Sequence, residues 1–217
     1  MTIYADIETL DFFQDAHIKA LPRDQQLAAM RFGCAVTAQI DDSAPNDHNP
    51  TWREWATDQV ADLYTYLVTC RQPIVGWNLI GFDWPVIKHN AHSAGWTDVH
   101  IGYEIVDMRD LFALIRTDTG RWYSLETVAV ANLGRGKLAD GQQAAAWLRS
   151  GEPELLRKAM DYCRHDVQLT IELHSLLLRG DSLLLPKRAD CRELNDLRWR
   201  PGTVEHVVGA DGVLGVR

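Results

Sequence analysis

Four acidic side chains lie in three separated segments of this 217-residue chain. Asp6 and Glu8 lie in IYADIETL, Asp83 lies in VGWNLIGFDWPVI, and Asp166 lies in DYCRHDVQL. A carboxylate in apolar surroundings is costly to bury unless it is paired or bound to a metal ion. A fold that buries these segments therefore needs partners for the acids, and a shared metal ion is one such partner.

The first two acids are separated by one residue at the end of a predicted strand over residues 2–7. Residues i and i+2 of a strand point to the same face, so Asp6 and Glu8 can reach one metal ion together while Ile7 faces the core. The alternative is an ordinary strand end with two solvated acids, and this short motif alone does not exclude it.

The third acid, Asp83, lies near the start of a predicted helix over residues 83–94. Asn78 and Gly81 interrupt the apolar run before that helix. Pro85 fits the first helical turn, where the backbone needs no amide donor. The alternative is that Asp83 simply caps the helix, as acids near helix N-termini commonly do.

The fourth acid, Asp166, lies in a predicted helix over residues 153–178, where apolar residues recur at helical spacing. Tyr162 precedes it by four residues and shares its helix face. A phenol one turn from a metal-bound carboxylate can hydrogen-bond the water that the metal activates. The alternative is that Asp166 pairs with a basic neighbour such as Arg164 or Lys158.

Phosphodiester hydrolysis is the chemistry that this set of acids can support. Two divalent cations about 3.5 to 4 Å apart make a water nucleophilic and neutralise the charge that grows on the leaving oxygen. Magnesium and manganese ions prefer carboxylate oxygens and water as ligands. The three segments therefore predict a site for two Mg²⁺ or Mn²⁺ ions, held by Asp6, Glu8, Asp83 and Asp166.

Three short motifs, taken in chain order, carry a resemblance to a known family. The motifs are Asp6-Ile-Glu8, Asn78-Leu-Ile-Gly-Phe82-Asp83 and Tyr162-Cys-Arg-His-Asp166. They resemble the three exonuclease motifs of the DEDD superfamily, whose members share a ribonuclease H-like fold. Over roughly residues 3–178 the chain is most similar to the tyrosine-bearing branch, which includes the proofreading domain of family-B DNA polymerases and its stand-alone relatives. The histidine-bearing branch has a His five residues before the final Asp, where this chain has Asp161.

The resemblance implies a catalytic role for each of the five residues. Asp6 would bridge both metal ions, and Glu8 and Asp166 would complete the site of the ion beside the attacking water. Asp83 would hold the second ion, mostly through waters. Tyr162 would orient the attacking water.

The resemblance also implies how the substrate binds. Asn78 and Phe82 would contact the terminal nucleotides, with Phe82 stacking beside a base, and the backbone at Thr9 and Leu10 would meet the 3′ hydroxyl. Stacking on an aromatic face tolerates every base. Phe82 also has a core-facing position in its predicted helix, and the sequence leaves both interpretations open.

The activity implied by the resemblance is 3′-to-5′ exonuclease cleavage of single-stranded DNA or RNA ends, with release of nucleoside 5′-monophosphates. One alternative is a non-catalytic ribonuclease H-like module that binds nucleic acid or a protein. Another is an RNA-specific nuclease on the same fold. No feature of the sequence selects DNA or RNA, and none selects a polymerase or a helicase as a protein partner.

The net charge of −8 is unexpected for a protein that acts on nucleic acid, but the charge is unevenly distributed. Residues 1–108 hold 6 Lys plus Arg against 15 Asp plus Glu, whereas residues 109–217 hold 16 against 15. Part of the acidic excess is the predicted metal site itself. Weak, salt-sensitive binding at strand ends is therefore expected. The candidates for phosphate contact, each also explained as a solvated surface charge, are Arg116, Arg121, Arg135 and Lys137.

The element pattern predicts an α/β fold, with a ribonuclease H-like mixed central sheet flanked by helices. Strands are predicted near 2–7, 31–40, 73–77 and 101–107, and helices near 57–70, 83–94, 108–116, 124–132, 141–149 and 153–178. This domain is expected over residues 1–180. Residues 181–217 are expected to form a C-terminal extension, in which residues 203–208 and 213–216 pair as a β-hairpin packed on the domain.

The composition bounds the class and the location of the protein. Its 46% hydrophobic content is that of an ordinary soluble globular domain, and no apolar run approaches the ~20 residues of a membrane span. The four cysteines show no C-x-x-C spacing and no leader segment is visible, so a cytoplasmic protein with reduced thiols and no membrane contact is expected. Tryptophan is more often a core residue than a base-stacking one. Four tryptophans nevertheless remain stacking candidates: Trp77, Trp84, Trp96 and Trp122.

Overall fold

The computed structural model describes residues 1–41, 49–96, 105–186, 197–201, 206–209 and 214–216. Its strands are β1 (Thr2–Thr9), β2 (Phe32–Ile40), β3 (Thr51–Trp55), β4 (Ile74–Gly76), β5 (Ile105–Val106), β6 (Met108–Asp110), β7 (Leu183–Leu185), β8 (Leu197–Trp199), β9 (His206–Gly209) and β10 (Leu214–Val216). Its helices are α1 (Ala16–Lys19), α2 (Arg23–Ala29), α3 (Val60–Thr69), α4 (Trp84–Ser93), α5 (Leu111–Thr119), α6 (Leu125–Leu133), α7 (Gly141–Ser150) and α8 (Pro153–Leu178), with a 3₁₀ turn at Thr57–Gln59 and a π-helical turn at Leu79–Asp83. None of the helices described here combines the length and the apolar character that crossing a membrane requires.

Five of the described strands form the central sheet, in the order β3-β2-β1-β4-β6. β2 pairs antiparallel with β1 and β3, whereas β4 pairs parallel with β1 and β6. The predicted mixed α/β sheet is therefore confirmed. β1 lies at its centre, between an antiparallel and a parallel neighbour.

Alternate side chains of β1 enter two different cores. Ile3 and Ile7 pack with residues of α3 and α4, whereas Tyr4 packs with residues of α5, α6 and α8. The two-residue period of a strand therefore directs Asp6 and Glu8 to the same face as Tyr4, toward α8.

α8 packs on that face of the sheet from Ala159 onward. It begins at Pro153, where proline is favoured, and its buried residues recur at intervals of three or four. The Tyr4 hydroxyl and His174 Nδ1 lie 2.9 Å apart in the buried contact between β1 and α8. This hydrogen bond joins the helix to the strand that carries the acidic pair.

The observed elements differ from the predicted layout at several places, and α1, α2, β7 and β8 are among the elements that the sequence pattern does not predict. The helix predicted near 108–116 starts too early, since Met108–Asp110 pairs with β4 as an edge strand. α5 begins only after Asp110, whose carboxylate accepts a hydrogen bond from the Ala113 amide at 3.1 Å. The sequence also does not predict β3, an edge strand whose residues are mostly exposed and polar. Of the strand predicted near 101–107, residues 101–104 lie outside the described residues.

The chain beyond residue 180 contacts the main domain at several points. β7 pairs with β8, and two leucines of β7 are buried in the core that α6 and α8 share. Asn132 of α6 exchanges hydrogen bonds with the backbone of Leu184 at 2.7 and 2.9 Å. β9 pairs antiparallel with both β10 and β5. The domain boundary at residue 180 stays a prediction, and residues 203–205 and 213 of the predicted hairpin lie outside the described part.

Candidate active site

Three of the predicted metal ligands meet between β1 and α8. Asp6, Glu8 and Asp166 each offer a carboxylate oxygen, and these oxygens lie within 4.8 Å of one another. Glu8 and Asp166 are buried, whereas Asp6 is partly buried. β1 supplies a pair because residues i and i+2 share a face, and α8 crosses that face with Asp166 on its buried side. Hard divalent cations prefer oxygen clusters of this kind.

Asp83, the fourth predicted ligand, does not cap α4. Its Oδ1 accepts a hydrogen bond from the backbone amide of Ile7 at 3.1 Å, and its side chain makes no capping hydrogen bond at the helix start. Asp83 is buried and lines the same cavity as the other three acids. The capping alternative is therefore wrong, because the side chain turns toward β1.

A buried acid that no motif marks holds the turn that carries Asp83. Asp110 accepts hydrogen bonds from the amides of Asn78 and Ile80, both at 2.9 Å, in addition to the Ala113 amide of α5. Asn78 has a left-handed backbone conformation with φ 62°, which asparagine tolerates better than most residues. Asp110 thus joins the turn before α4 to the start of α5, and it is a positioning residue for Asp83.

We expect Asp110→Ala to lower the free energy of unfolding by about 3 kcal/mol, since three partly buried amides lose their acceptor. Chemical denaturation measures the change. The matched control is Asp140→Ala, which removes an N-cap of α7 that accepts from the Gln143 amide at 2.8 Å. Because this cap is exposed and serves one amide, its loss should cost only about 1 kcal/mol. Equal losses in the two variants would contradict the anchoring role of Asp110.

A lysine ammonium lies among the acids. Lys137 Nζ is 2.6 Å from Asp166 Oδ2, although Lys137 belongs to the loop between α6 and α7. His165 Nε2 lies 2.8 Å from the Gly136 carbonyl of this loop, and the Glu126 carboxylate accepts a hydrogen bond from the Lys137 amide. A Cβ at Gly136 would meet the Glu126 carboxylate, which would have to shift from its place beside the Lys137 amide.

The basic neighbours proposed as partners of Asp166 lie elsewhere. Arg164 pairs with Glu54 at 2.7 Å, and Lys158 pairs with Glu154 at 3.1 Å. Neither of these two residues pairs with Asp166, but the expected pairing with a basic residue does occur, through Lys137 Nζ at 2.6 Å. The partner of Asp166 comes from a loop that is distant in sequence, and only the folded chain brings it to the acids.

Several like charges share this confined volume, which alters their titration. Burial first, and the charge of Asp166 second, raise the pKa of Asp6 to about 8. Burial, followed by the charge of Asp6, raises the pKa of Glu8 and of Asp83 well above their ordinary values. Burial alone would lower the pKa of Lys137, but the neighbouring carboxylates outweigh it and raise that pKa. A cation among these acids therefore favours the ionised form of their carboxylates over the protonated form.

Tyr162 lies beside the same carboxylates, one helical turn from Asp166. The Tyr162 hydroxyl and Asp166 Oδ1 are buried and have no hydrogen-bond partner within the described ranges of the chain. Burial first, and then the charges of Asp166 and Glu8, raise the pKa of the phenol. The phenol is therefore protonated near neutral pH. Buried polar atoms without a protein partner mark a place for a bound water, ion or ligand.

The acids line a cavity of about 500 Å³, a volume within the range of small-ligand sites. Of the predicted substrate contacts, Thr9, Asn78 and Phe82 also line it. Phe82 is partly buried and contacts Phe13, with ring centroids 5.8 Å apart, so it faces both the core and the cavity. Leu10 does not line this cavity; its carbonyl accepts a hydrogen bond from an arginine of α7 at 3.2 Å.

Comparison with known proteins agrees with this architecture. The model of the RNase H superfamily matches residues 3–178. The chain belongs to this superfamily. Among solved structures, it is similar to the family B DNA polymerase from the hyperthermophilic archaeon Pyrobaculum calidifontis, with a TM-score of 0.55 and 18% identity, over 82% of this chain and 24% of that chain. The chain thus spans about a quarter of the polymerase, and at this identity the likeness shows the fold. No curated protein matches the chain.

The residues of the cluster fit the divalent ions that RNase H-like nucleases use. Three carboxylate oxygens lie close together, and Asp166 Oδ1 is buried without a partner among the described residues. The Lys137 ammonium beside Asp166 Oδ2 shows that a positive charge is accommodated there. The identity and number of the ions stay predictions.

A second network, which no motif marks, holds the segment that follows β1 in this RNase H-like chain. Asp11 is buried and accepts hydrogen bonds from Arg31 at its backbone amide (2.9 Å), Nε (2.9 Å) and Nη2 (2.6 Å). Burial alone would raise the pKa of Asp11, but the hydrogen bonds from Arg31 outweigh it and lower that pKa. The network supports the adjoining Phe12 and Phe13, which line the cavity.

The four basic residues predicted to contact phosphate lie in different settings. Lys137 lines the cavity beside the acids. The Arg116 guanidinium carbon lies 4.1 Å from the ring centroid of Trp122, which also lines the cavity. Arg121 donates a hydrogen bond to a tyrosine hydroxyl at 3.3 Å, and Arg135 pairs with a glutamate of α8. Because that tyrosine, Tyr123, also lines the cavity, Lys137, Arg116 and Arg121 have observed contacts at the cavity, whereas Arg135 does not.

Proposed function

We propose that the chain is a two-metal-ion 3′-to-5′ exonuclease, which hydrolyses phosphodiester bonds at single-stranded 3′ ends and releases nucleoside 5′-monophosphates. The observation that carries the proposal is the meeting of Asp6, Glu8 and Asp166 within 4.8 Å in a chain of the RNase H superfamily. The direction of digestion and the product rest on the resemblance of the three motifs to the tyrosine-bearing exonucleases.

In this proposal the four acids hold the ions and Lys137 binds the substrate. Asp6, Glu8 and Asp166 would hold one ion, and Asp83 would contribute to holding the second. When bound, Mg²⁺ or Mn²⁺ supplies a nucleophilic water and neutralises charge on the leaving oxygen. The Lys137 ammonium is a phosphate ligand here, because it already lies against Asp166 and the scissile phosphate must come next to the same carboxylates.

Tyr162 orients the attacking water and does not act as its base. The supporting facts are its buried hydroxyl, which has no hydrogen-bond partner within the described part of the chain, and its raised pKa. A protonated phenol can donate one hydrogen bond to a water and accept another. Proton transfer to the phenol is not needed in this scheme.

We expect Tyr162→Phe to lower kcat about 10- to 100-fold, the usual cost of losing a hydrogen bond that orients a metal-bound group. KM should change little, since the ring and its packing are kept. Steady-state kinetics on a single-stranded oligonucleotide measures both constants. A wild-type kcat in this variant would remove the proposed role of the phenol.

The proposal is tested by digestion of matched linear and circular single-stranded oligonucleotides, with Mg²⁺ or Mn²⁺ and with a chelator. An exonuclease degrades only the linear form, in the presence of the ion, and the products migrate as nucleoside 5′-monophosphates. Cleavage of the circle would show an endonuclease. Binding of the oligonucleotide without any hydrolysis would favour a non-catalytic module. A DNA and RNA version of each substrate tests the RNA-specific alternative.

A further inference from the structure

The four tryptophans considered for base stacking have different surroundings in the fold. Trp84 is 2% exposed and Trp77 is 9% exposed, and Trp96 is partly buried. Trp122 is 54% exposed and lies in the cavity wall, on the segment between α5 and α6. A large indole at the mouth of a cavity presents apolar area that a flat ligand can cover.

Trp122 is held in place by two residues of α5. Its ring contacts the Phe112 ring at 5.1 Å between centroids, with planes inclined at 66°. The Arg116 guanidinium carbon lies 4.1 Å from its centroid. We call Phe112, Arg116 and Trp122 the Trp122 platform. Because the aromatic surface is already positioned, a ligand that stacks on it has less ordering entropy to lose.

The wall around Phe82 has the same composition. Phe82 contacts Phe13, and the Arg23 guanidinium carbon lies 4.7 Å from the Phe13 centroid. Phe13 and Phe82 line the cavity together with Phe112 and Trp122. The cavity thus combines a cluster of carboxylates with two aromatic pairs, each accompanied by an arginine. Aromatic faces bind bases and arginines bind phosphates, which is the combination that single-stranded nucleic acid requires.

We propose that the Trp122 platform stacks an unpaired base of the strand, upstream of the nucleotide that is removed. This inference rests on the proposed function and extends it to the substrate beyond the scissile bond. The buried acids fix where that bond lies, and a base that reaches a half-exposed indole at the cavity mouth is farther along the strand. Bases inside a duplex are already stacked on their neighbours, so the platform favours unpaired strands.

The test measures binding without hydrolysis. Fluorescence anisotropy of a labelled oligothymidylate gives Kd in the Asp6→Ala protein, with no divalent ion present. Adding Trp122→Ala should raise Kd at least about fivefold, since base–aromatic stacking contributes about 5- to 150-fold per base. Trp122→Phe should keep most of the affinity. Leu178→Ala, which removes another exposed apolar side chain at the end of α8, should leave Kd unchanged.

Several outcomes overturn the platform. The first is a Kd that Trp122→Ala leaves unchanged. The second is a loss of affinity in Leu178→Ala or in Trp122→Phe that equals the loss in Trp122→Ala. The third is an Asp6→Ala protein that binds no oligonucleotide. Hydrolysis by the wild-type protein is measured separately from binding. If the wild-type protein cuts no substrate, the nuclease proposal is refuted. If Trp122→Ala nevertheless weakens oligonucleotide binding, the platform is supported.

Discussion

Asp6→Ala and Asp166→Ala should each abolish digestion of a linear single-stranded oligonucleotide in Mg²⁺ or Mn²⁺, with kcat/KM at least about 10³-fold below wild type. A bound divalent ion contributes several kcal/mol of transition-state stabilisation, and each 1.4 kcal/mol is a factor of ten in rate. Each substitution removes one of the three carboxylates that lie within 4.8 Å of one another. A loss of this size is therefore expected from either change alone.

The matched control for this prediction is Asp161→Ala. Asp161 lies on the same helix α8, its side chain is 56% exposed, and its partner is Arg157 one turn away. The variant should keep wild-type kcat/KM, because Asp161 lies outside the acidic cluster. Digestion at the wild-type rate by Asp6→Ala would contradict the assignment of Asp6 as a metal ligand. A large loss of kcat/KM in Asp161→Ala would show that removing any negative charge from α8 lowers activity.

Without divalent ions, the folded protein should lose stability as the pH rises from about 5 to about 8. The pKa of Asp6 is about 8 in the folded chain against an ordinary value of 3.8, so the folded state keeps a proton that the unfolded state releases. The resulting stabilisation is fully present below about pH 4 and is lost as the pH approaches 8. The slope is at most about 1.4 kcal/mol per pH unit for each such carboxyl.

Asp6→Asn isolates this effect from other titrating groups. It removes one partly buried charge and one titration, so the metal-free variant should be more stable than wild type at pH 8, and the difference should shrink toward pH 5. Thermal unfolding in a chelator at both pH values measures the difference. Mn²⁺ at 100 times its Kd should restore about 2.7 kcal/mol to the wild type and less to the variant. If the difference in stability between the metal-free wild type and the variant were the same at pH 8 as at pH 5, the raised pKa of Asp6 would be contradicted.

The sequence predicts the elements that carry the acids because their patterns are long or distinctive. α8 has apolar residues at helical spacing over its whole length, and β1 alternates up to the Asp6 and Glu8 pair. β6 is only three residues long and runs directly into α5, so no periodicity separates it from the helix. β3 lies at the sheet edge with exposed polar residues and lacks the apolar alternation of a strand.

The parts of the site that the sequence does not predict depend on tertiary contacts. Lys137 reaches Asp166 only because Glu126 and His165 hold its loop against α8. Asp110 falls inside the helix predicted near 108–116, and its hydrogen bonds to the turn before Asp83 arise from the pairing of β4 with β6. Such contacts join distant segments, and no local spacing encodes them.

The most direct test of the proposed metal centre is anomalous scattering from manganese in crystals of the wild-type protein soaked with Mn²⁺. We expect two peaks about 3.5 to 4 Å apart, bordered by the carboxylates of Asp6, Glu8, Asp83 and Asp166, with the Lys137 ammonium moved away from Asp166. Crystals with no manganese peak at these four carboxylates, while the ion is present in excess, would contradict the account.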